Sequence, residues 1–180
     1  MRVFVSIEIS NNEVINSIKK FQKIIEIDAK PTESKNLHFT LQFLGEVSEQ
    51  IIDKIIQSLN TIEFSKFDIS LKGIGAFPKL KSPKIIWIGT DEKSGKMMTE
   101  LSKKVEKALE PLGFSSEKPF KPHITVFRIK KKIGDITKEM ENHKNVSFGI
   151  QEITSIKLKK SELTLNGPVY SDLMEIKTKI

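Results

Sequence analysis

The chain has 180 residues, 38% hydrophobic and 29% charged, and its 30 Lys and Arg exceed its 23 Asp and Glu to give a formal net charge of +7. This length and balance are typical of one folded globular domain and argue against a disordered chain. No apolar run approaches the ~20 residues that cross a bilayer and none resembles a signal peptide, so we expect a cytoplasmic protein without a membrane segment.

Alternating and amphipathic stretches predict strands and helices in turn along the first part of the chain. The first strand, over 2–9, ends at Ser10-Asn11-Asn12, residue types that favour helix N-caps. The same two patterns then predict a helix with Val14, Ile15, Ile18, Phe21 and Ile25 on one face, a strand over 36–44, a helix from Ser48, strands over 66–76 and 84–90, and a third helix after Gly95 that runs to Leu109.

The second part of the chain is predicted to consist mainly of strands. Its elements are a strand over 123–127, a short helix within 134–143, and strands over 146–150, 152–160 and 168–176. Asn166-Gly167-Pro168 forms a turn before the last strand. Since no linker or low-complexity segment divides the chain, we expect one compact α+β domain over residues 1–180.

A short internal repeat links the two parts. A predicted helix precedes a strand with His38 and Thr40, and another precedes a strand with His123 and Thr125, so that His-x-Thr recurs after 123 − 38 = 85 residues. This offset is close to half the chain and suggests two similar lobes related by a pseudo-two-fold axis. Lobes packed in this way would form a groove to which each contributes one histidine and one threonine.

The alternation of side chains along a strand determines which residues of each motif face the groove and which face the core. His38 and Thr40 point to one face of their strand, while Leu37, Phe39 and Leu41 point to the other and suit a core beneath a helix. The second motif alternates in the same way. A single His-x-Thr is usually no more than a polar pair on a solvated sheet face, but two copies at equivalent positions favour a functional site.

The rest of the composition excludes several kinds of catalytic and metal site. There is no cysteine, which excludes disulfides, thiolate zinc ligands and a cysteine nucleophile. The third histidine, His143, lies among Glu139, Glu141 and Asn142 and is interpreted as a surface residue. With no paired histidine spacing and no clustered carboxylates, we expect neither a metal nor another cofactor.

Two histidines across a groove suit in-line displacement at phosphorus. A neutral imidazole can take a proton from the attacking water or hydroxyl while a protonated one donates to the leaving oxygen, and threonine hydroxyls can donate to the phosphoryl oxygens. Both forms of imidazole are present near its unperturbed pKa of ~6.5. No metal is required when the leaving group is internal and strained, as in a ribose 2′,3′-cyclic phosphate.

The positive charge indicates an anionic partner, with nucleic acid first, although surface lysine also serves solubility. Lysine supplies nearly all of it, because the only arginines are Arg2 and Arg128. In so lysine-rich a chain an arginine is expected to serve packing or forked hydrogen bonding.

With these residues identified, the sequence resembles the 2H phosphoesterase superfamily, specifically its 2′-5′ RNA ligase-like branch of RNA 2′,3′-cyclic phosphodiesterases. The two motifs stand as HFTL at 38–41 and HITV at 123–126. The similarity runs nearly from end to end and includes MRVFVSI at 1–7, NLHFTLQFLGE at 36–46, KGIGAFP at 72–78, IWIG at 86–89, KSEL at 160–163 and GPVY at 167–170.

The resemblance implies a bilobal α+β fold with two pseudo-symmetric antiparallel sheets, flanked by helices, around a central cleft. It implies hydrolysis of RNA-terminal 2′,3′-cyclic phosphates to 2′-phosphomonoesters without a metal. By that pattern His38 donates a proton to the leaving 3′-oxygen, His123 accepts one from water, and Thr40 and Thr125 bind the phosphate. Arg128 matches an arginine of the family and would also bind phosphate.

One position departs from the family pattern. Phe127 stands where many members have a small residue, and it either narrows the cleft, stacks on a base or belongs to the core. Strict alternation would turn Arg128 away from the cleft, so a role in phosphate binding requires a bulge or a twist there.

Other functions remain open from the sequence. The chain could be a 2′-5′ RNA ligase that joins tRNA halves, a phosphodiesterase for a small nucleotide, or a module that binds RNA without catalysis. The expected partners are RNA ends that bear a cyclic phosphate, including tRNA halves, and the protein itself is expected to be a monomer.

Overall fold

The computed structural model describes residues 1–179. Within them, nine strands and four α-helices follow one another in a mixed order. In chain order they are β1 (Arg2–Glu8), α1 (Asn12–Ile24), β2 (Lys30–Pro31), β3 (His38–Glu46), α2 (Glu49–Leu59), β4 (Phe67–Phe77), β5 (Ile85–Thr90), α3 (Glu92–Leu109), β6 (Ile124–Arg128), α4 (Thr137–Glu141), β7 (Ser147–Ile153), β8 (Ser155–Thr164) and β9 (Gly167–Lys177).

The strands form one antiparallel sheet with two four-stranded halves. The first half has the order β3-β1-β8-β9 and the second the order β6-β5-β4-β7, while the short β2 pairs with β6. The halves meet where β3 lies beside β6, through the single residue pair Phe39 and Ile124. The expected α+β class with two related antiparallel halves is confirmed, and the two predicted sheets are continuous across this junction.

The helices cover the sheet in a crossed arrangement. Helix α1 precedes β3 in the chain but packs against β7 and β6 of the second half, whereas α3 precedes β6 but packs against β3 of the first half as well as β4. Their apolar faces are buried as the 3.6-residue pattern predicts, with Val14, Ile18 and Phe21 in α1. The core therefore lies between the helices and one face of the sheet, which leaves the opposite face of β3 and β6 free.

Local capping corrects one predicted boundary. Helix α3 begins at Glu92, before Gly95, because the Asp91 carboxylate accepts a hydrogen bond of 2.8 Å from the backbone N–H of Ser94. Gly95 was predicted to precede the helix and instead lies inside it. None of the helices described within residues 1–179 is long and apolar enough to span a bilayer.

The junction of the two halves makes a prediction about stability. Phe39 is fully buried there, so Phe39→Ala should lower the free energy of unfolding by ~3–5 kcal/mol, the usual cost of removing a core phenylalanine. Urea denaturation measures this change. The matched control is Phe43→Ala in the same strand, where the side chain is 73% exposed and the expected change is within ~0.5 kcal/mol. Equal losses in the two variants would contradict the role of the junction.

Candidate active site

The free face of the central strands forms a cleft, called here the main cleft. His38 and Thr40 from β3 line it together with His123 and Thr125 of the second motif, as the repeat predicts. Its empty volume is about 1620 Å³, counting the part open to solvent. Leu37, Phe39 and Leu41 are buried on the opposite side, which confirms the predicted alternation.

Both histidine rings are held by the same local hydrogen bond. Nδ1 of His38 lies 2.7 Å from the backbone oxygen of Asn36, and Nδ1 of His123 lies 2.7 Å from that of Lys121. Because a carbonyl oxygen only accepts, Nδ1 carries the hydrogen in both rings. Nε2 is therefore the nitrogen that gains or loses a proton in each half of the site.

Two aromatic side chains pack against His38 and against each other. Its ring centroid lies 5.2 Å from that of Phe4 and 5.3 Å from that of Tyr170, with the Tyr170 contact edge to face. Phe4 comes from β1 and Tyr170 from β9, so three strands of the first half hold this imidazole.

The second histidine has an equivalent aromatic support. The ring centroid of His123 lies 5.1 Å from that of Phe77 and 6.4 Å from that of Trp87, while Lys121 Nζ stands 4.6 Å from the Trp87 centroid. The indole lies across Gly75, where an added Cβ would come within 2.2 Å of Cζ2. Only glycine leaves room for Trp87 in this position.

A β-bulge turns Arg128 into the main cleft. Strand β5 pairs neighbouring residues with Thr125 and Phe127, which leaves Val126 as the extra residue of β6. Beyond the bulge the alternation is reversed, so Phe127 is buried in the core and Arg128 lines the cleft. Phe127 therefore belongs to the core and neither narrows the cleft nor stacks on a base. The bulge that a cleft position of Arg128 requires is present.

The first motif contains the same irregularity. The pairing of β1 with β3 shifts between Thr40 and Gln42, so Leu41 is the extra residue, and Phe43 turns to the main cleft. The repeat offset relates the bulges, 126 − 41 = 85, and also the turned residues, 128 − 43 = 85. The two halves thus present a phenylalanine and an arginine at equivalent positions.

The crossed helices satisfy the carbonyl groups at both bulges. Gln22 of α1 donates from Nε2 to the backbone oxygen of Val126 at 3.0 Å, and Ser102 of α3 donates from Oγ to that of Leu41 at 3.4 Å. Each bulge is therefore held by a side chain from the helix that precedes the other motif.

The main cleft is positively charged. Arg2, Arg128 and Lys130 line it, and among the lining residues that the structure describes none is acidic. Both arginines of the chain thus face the cleft, which suits an anionic ligand. In the described part of the chain no group of three or more His, Asp or Glu side chains could hold a metal ion.

A cluster of four charged side chains lies beside His38. Glu8, the cross-strand neighbour of His38, accepts hydrogen bonds from Lys157 at 2.9 Å and from the buried Lys159. Asp172 lies 2.8 Å from Lys157 and 3.1 Å from Lys159. Burial raises the pKa of Glu8, but the hydrogen bonds from the two lysines outweigh it and hold this pKa below its usual value.

The pKa values of both site histidines are lowered, chiefly by burial, which disfavours the charged imidazole. The charge of Lys159 contributes at His38, that of Lys121 at His123, and that of Arg128 at both. The backbone hydrogen bonds act in the opposite direction and limit the shift. Both rings therefore favour the neutral form at neutral pH.

His143 lies outside the cleft. Its Nε2 stands 3.5 Å from Oε1 of Glu139, and its ring packs edge to face on Phe21 at 5.8 Å. The side chain is only 19% exposed, so it is less accessible than the surface position predicted for it.

A family model described as the AKAP7 2′5′ RNA ligase-like domain matches residues 2–177. The chain belongs to this family of 2H phosphoesterases. The phosphoesterase is 38% identical over 175 residues to an RNA 2′,3′-cyclic phosphodiesterase of Archaeoglobus fulgidus, covering 96% of this chain and 98% of that one. A protein of the same name from Methanocaldococcus jannaschii is 38% identical over 181 residues and covers 97% and 99%.

Solved structures agree with the fold of the phosphoesterase. A crystal structure from Thermus thermophilus superposes with a TM-score of 0.84 at 26% identity and covers 99% of this chain and 98% of that one. Escherichia coli LigT, crystallised with 3′-AMP, has a TM-score of 0.82 at 23% identity and covers 99% and 98%, which supports the fold alone.

Several residues of the site were not predicted from the sequence. The aromatic supports of the histidines and the charge cluster around Glu8 come from strands distant in the chain, so no local pattern indicates them. Arg2 was named only as a rare arginine, and that rarity was the available signal for its place in the main cleft.

The contact between Gly75 and Trp87 makes a second prediction. Gly75→Ala should displace the indole, lower the free energy of unfolding by ~1–3 kcal/mol through overpacking, and shift the fluorescence of this single tryptophan. The matched control is Gly113→Ala, which is strained at φ +90 but has no atom within 4 Å of the added Cβ. The control should lose stability without a spectral change, and an unchanged spectrum in Gly75→Ala would contradict the prediction.

Proposed function

We propose that this phosphoesterase hydrolyses the 2′,3′-cyclic phosphate at the end of an RNA to a 2′-phosphomonoester. The observation that carries the proposal is the matched pair of imidazoles, each with Nδ1 bound to a backbone carbonyl and Nε2 left to exchange a proton in one cationic cleft. Relatives with 38% identity over nearly the whole chain are named RNA 2′,3′-cyclic phosphodiesterase, which supports the same activity.

The proposed reaction is a single in-line displacement. Nε2 of His123 takes a proton from water, whose oxygen forms the new bond to phosphorus. The bond from phosphorus to the 3′-oxygen breaks, and Nε2 of His38, initially protonated, gives its proton to that oxygen. The product carries a 2′-phosphate and a 3′-hydroxyl, and the two histidines have exchanged protonation states.

The composition of the main cleft supports this assignment of donor and acceptor. Its apolar lining comes mainly from the first half of the sheet, where Phe4 and Tyr170 pack on His38 and Phe43 lies beside Phe4. An apolar and aromatic wall suits the nucleoside, and the 3′-oxygen is part of that nucleoside. The histidine nearest the leaving oxygen is then His38, and water approaches from the side of His123.

Three further groups are proposed to bind the phosphoryl oxygens. The hydroxyls of Thr40 and Thr125 share the cleft face with the histidines, and the Arg128 guanidinium reaches it through the bulge. Donors that face the developing negative charge stabilise the transition state more than the ground state. Arg128 can in addition bind two oxygens at once through its planar fork.

We further propose that the enzyme acts as a monomer on cytoplasmic RNA ends, including those of tRNA halves. The monomer is supported because the two motifs of a single chain together form the main cleft, so the site needs no second chain to complete it. In ligation a 5′-hydroxyl would replace water at His123, so the same site accounts for hydrolysis and for a 2′-5′ ligase reaction.

Product analysis and histidine variants test the proposed function. An RNA with a 2′,3′-cyclic end should yield a 2′-phosphate and no 3′-phosphate, resolved by chromatography. His38→Ala and His123→Ala should each lower kcat/KM by ~10²–10⁴-fold, because each removes a positioned acid or base.

His143→Gln is the control for these variants, since His143 lies outside the main cleft, and its kcat/KM should stay near that of the unchanged enzyme. Circular dichroism establishes that each variant is folded. A folded His123→Ala with full activity, or formation of a 3′-phosphate, would contradict the proposed function.

The lowered pKa values of both histidines predict an acidic optimum. The productive state carries one proton on the pair, so kcat/KM should follow a bell between two apparent pKa values of the coupled groups. Because burial lowers the pKa at both positions, we expect the maximum below pH ~6.5, the unperturbed imidazole value. Initial rates at low substrate between about pH 4 and 9, roughly 2.5 units to either side of the unperturbed imidazole pKa, measure the profile. A maximum clearly above pH ~6.5 would contradict it, since it would require a raised imidazole pKa.

A further inference from the structure

A second pocket adjoins the main cleft and shares several lining residues with it, among them His38, Thr125, Arg128 and Lys130. We call it the side chamber; its space, counting the part open to solvent, is about 610 Å³. It lacks Thr40 and His123. The lining residues that it does not share with the main cleft are Lys30, Pro31, Thr32, Glu33, Asn36 and Asn166.

One wall of the side chamber is attached to the second motif strand. Strand β2 pairs with β6 so that Lys30 stands opposite Arg128, and the backbone N–H of Thr32 donates to the oxygen of Val126 at 2.9 Å. Gln22 donates from Nε2 to the backbone oxygens of both Thr32 and Val126 at 3.0 Å. This wall is therefore held in a fixed position relative to Arg128.

The opposite wall is the tip of the hairpin formed by β8 and β9. The pairing of β1 with β8 ends at Ser161, so the residues from 162 to 169 pair only with each other and project beyond the sheet. Lys30 Nζ donates to the backbone oxygen of Asn166 at 3.0 Å and links the two walls.

The side chamber carries a net positive charge. Lys30, Arg128 and Lys130 line it, and the one acidic residue among the described lining residues, Glu33, has its carboxylate 3.4 Å from the ammonium of Lys35 outside the chamber. The buried hydroxyl of Thr32 has no hydrogen-bond partner among the residues that the structure describes. Cations and a free hydroxyl are the groups that a phosphate ligand uses.

The chemistry of the substrate defines what reaches this chamber. In a ribose 2′,3′-cyclic phosphate both the 2′- and 3′-oxygens are bound to the reacting phosphorus, so the nucleotide extends only through its base and its 5′-oxygen. The reacting phosphorus needs both histidines and both threonines, which meet only in the main cleft. The base suits the apolar wall there, and the anionic branch suits the cationic chamber beside it.

On the basis of the proposed function, we infer that the side chamber binds the 5′-phosphate of the terminal nucleotide, the group that joins it to the rest of the RNA, with Lys30 and Lys130 as the specificity-determining cations. The enzyme should accordingly select RNA ends over free cyclic nucleosides. The site would contribute to recognition without taking part in the displacement at phosphorus.

Three adenine substrates test the inference. They are 2′,3′-cyclic AMP, its 5′-phosphorylated form, and the dinucleotide ApA ending in a 2′,3′-cyclic phosphate. The 5′-phosphate should raise kcat/KM about tenfold, the lower end of the effect of one charge-assisted hydrogen bond, and the dinucleotide should be at least as good.

Substitution of the cations locates the effect. The double variant Lys30→Met and Lys130→Met should reduce the advantage of the 5′-phosphate in kcat/KM from about tenfold to below about threefold. The reason is that the variant removes two of the three cations that line the side chamber. The matched control is Lys131→Met with Lys132→Met, which removes the same charge from exposed residues that do not line the side chamber, and it should keep the advantage.

Calorimetry provides a readout without turnover. Adenosine 2′,5′-bisphosphate should bind the unchanged enzyme about tenfold more tightly than 2′-AMP, and the Lys30 and Lys130 double variant should bind the two alike. Equal kcat/KM and equal affinity with and without the 5′-phosphate would overturn the inference while leaving the proposed function intact. So would an equal loss of the advantage in the Lys131 and Lys132 control. If none of the three substrates were hydrolysed, the proposed function would be overturned. The calorimetry would then be the remaining test of whether the side chamber binds the 5′-phosphate.

Discussion

The backbone pairing of Phe39 with Ile124 joins the two halves of the sheet, and these residues are the middle positions of the two His-x-Thr motifs. Both side chains are fully buried and point to the core beneath the sheet. Alternation then forces the histidine and threonine on either side of each one toward the opposite face. This single backbone pairing therefore brings four polar side chains together in the main cleft and fixes the register of one motif against the other.

The two halves of the sheet resemble each other more closely in their backbone geometry than in the side chains that line the cleft. Each has a bulge one residue after the threonine, and each bulge receives a hydrogen bond from a crossed helix. The residue that follows in the cleft is Phe43 in one half and Arg128 in the other. A symmetric backbone thus carries an apolar wall on one side of the cleft and a cation suited to phosphate on the other. A bound ligand with one apolar and one anionic end would therefore have a single preferred orientation.

Sequence patterns predicted the strands that carry both motifs, because each alternates between core and polar residues across its His-x-Thr motif. They also predicted that the motifs share one groove, since an exact repeat of two functional residue types is rare by chance. They could not place Phe127 and Arg128, whose orientation depends on an extra residue opposite β5 that only the strand pairing reveals. Nor could they find Glu8 and Lys159 beside His38, because cross-strand neighbours from different parts of the chain leave no local spacing to recognise. The start of α3 was misplaced since the Asp91 cap outweighs the low helix propensity of Gly95.

The crossed helices have a consequence for how the molecule holds together. Helix α1 comes from the first half and secures a bulge of the second, while α3 comes from the second half and secures a bulge of the first. Opening of either half would remove a side-chain donor from the bulge carbonyl of the other and so destabilise its motif. Unfolding of the two halves is therefore coupled, and amide hydrogens of β3 and β6 should exchange with solvent in one cooperative unit although their strands meet through a single residue pair.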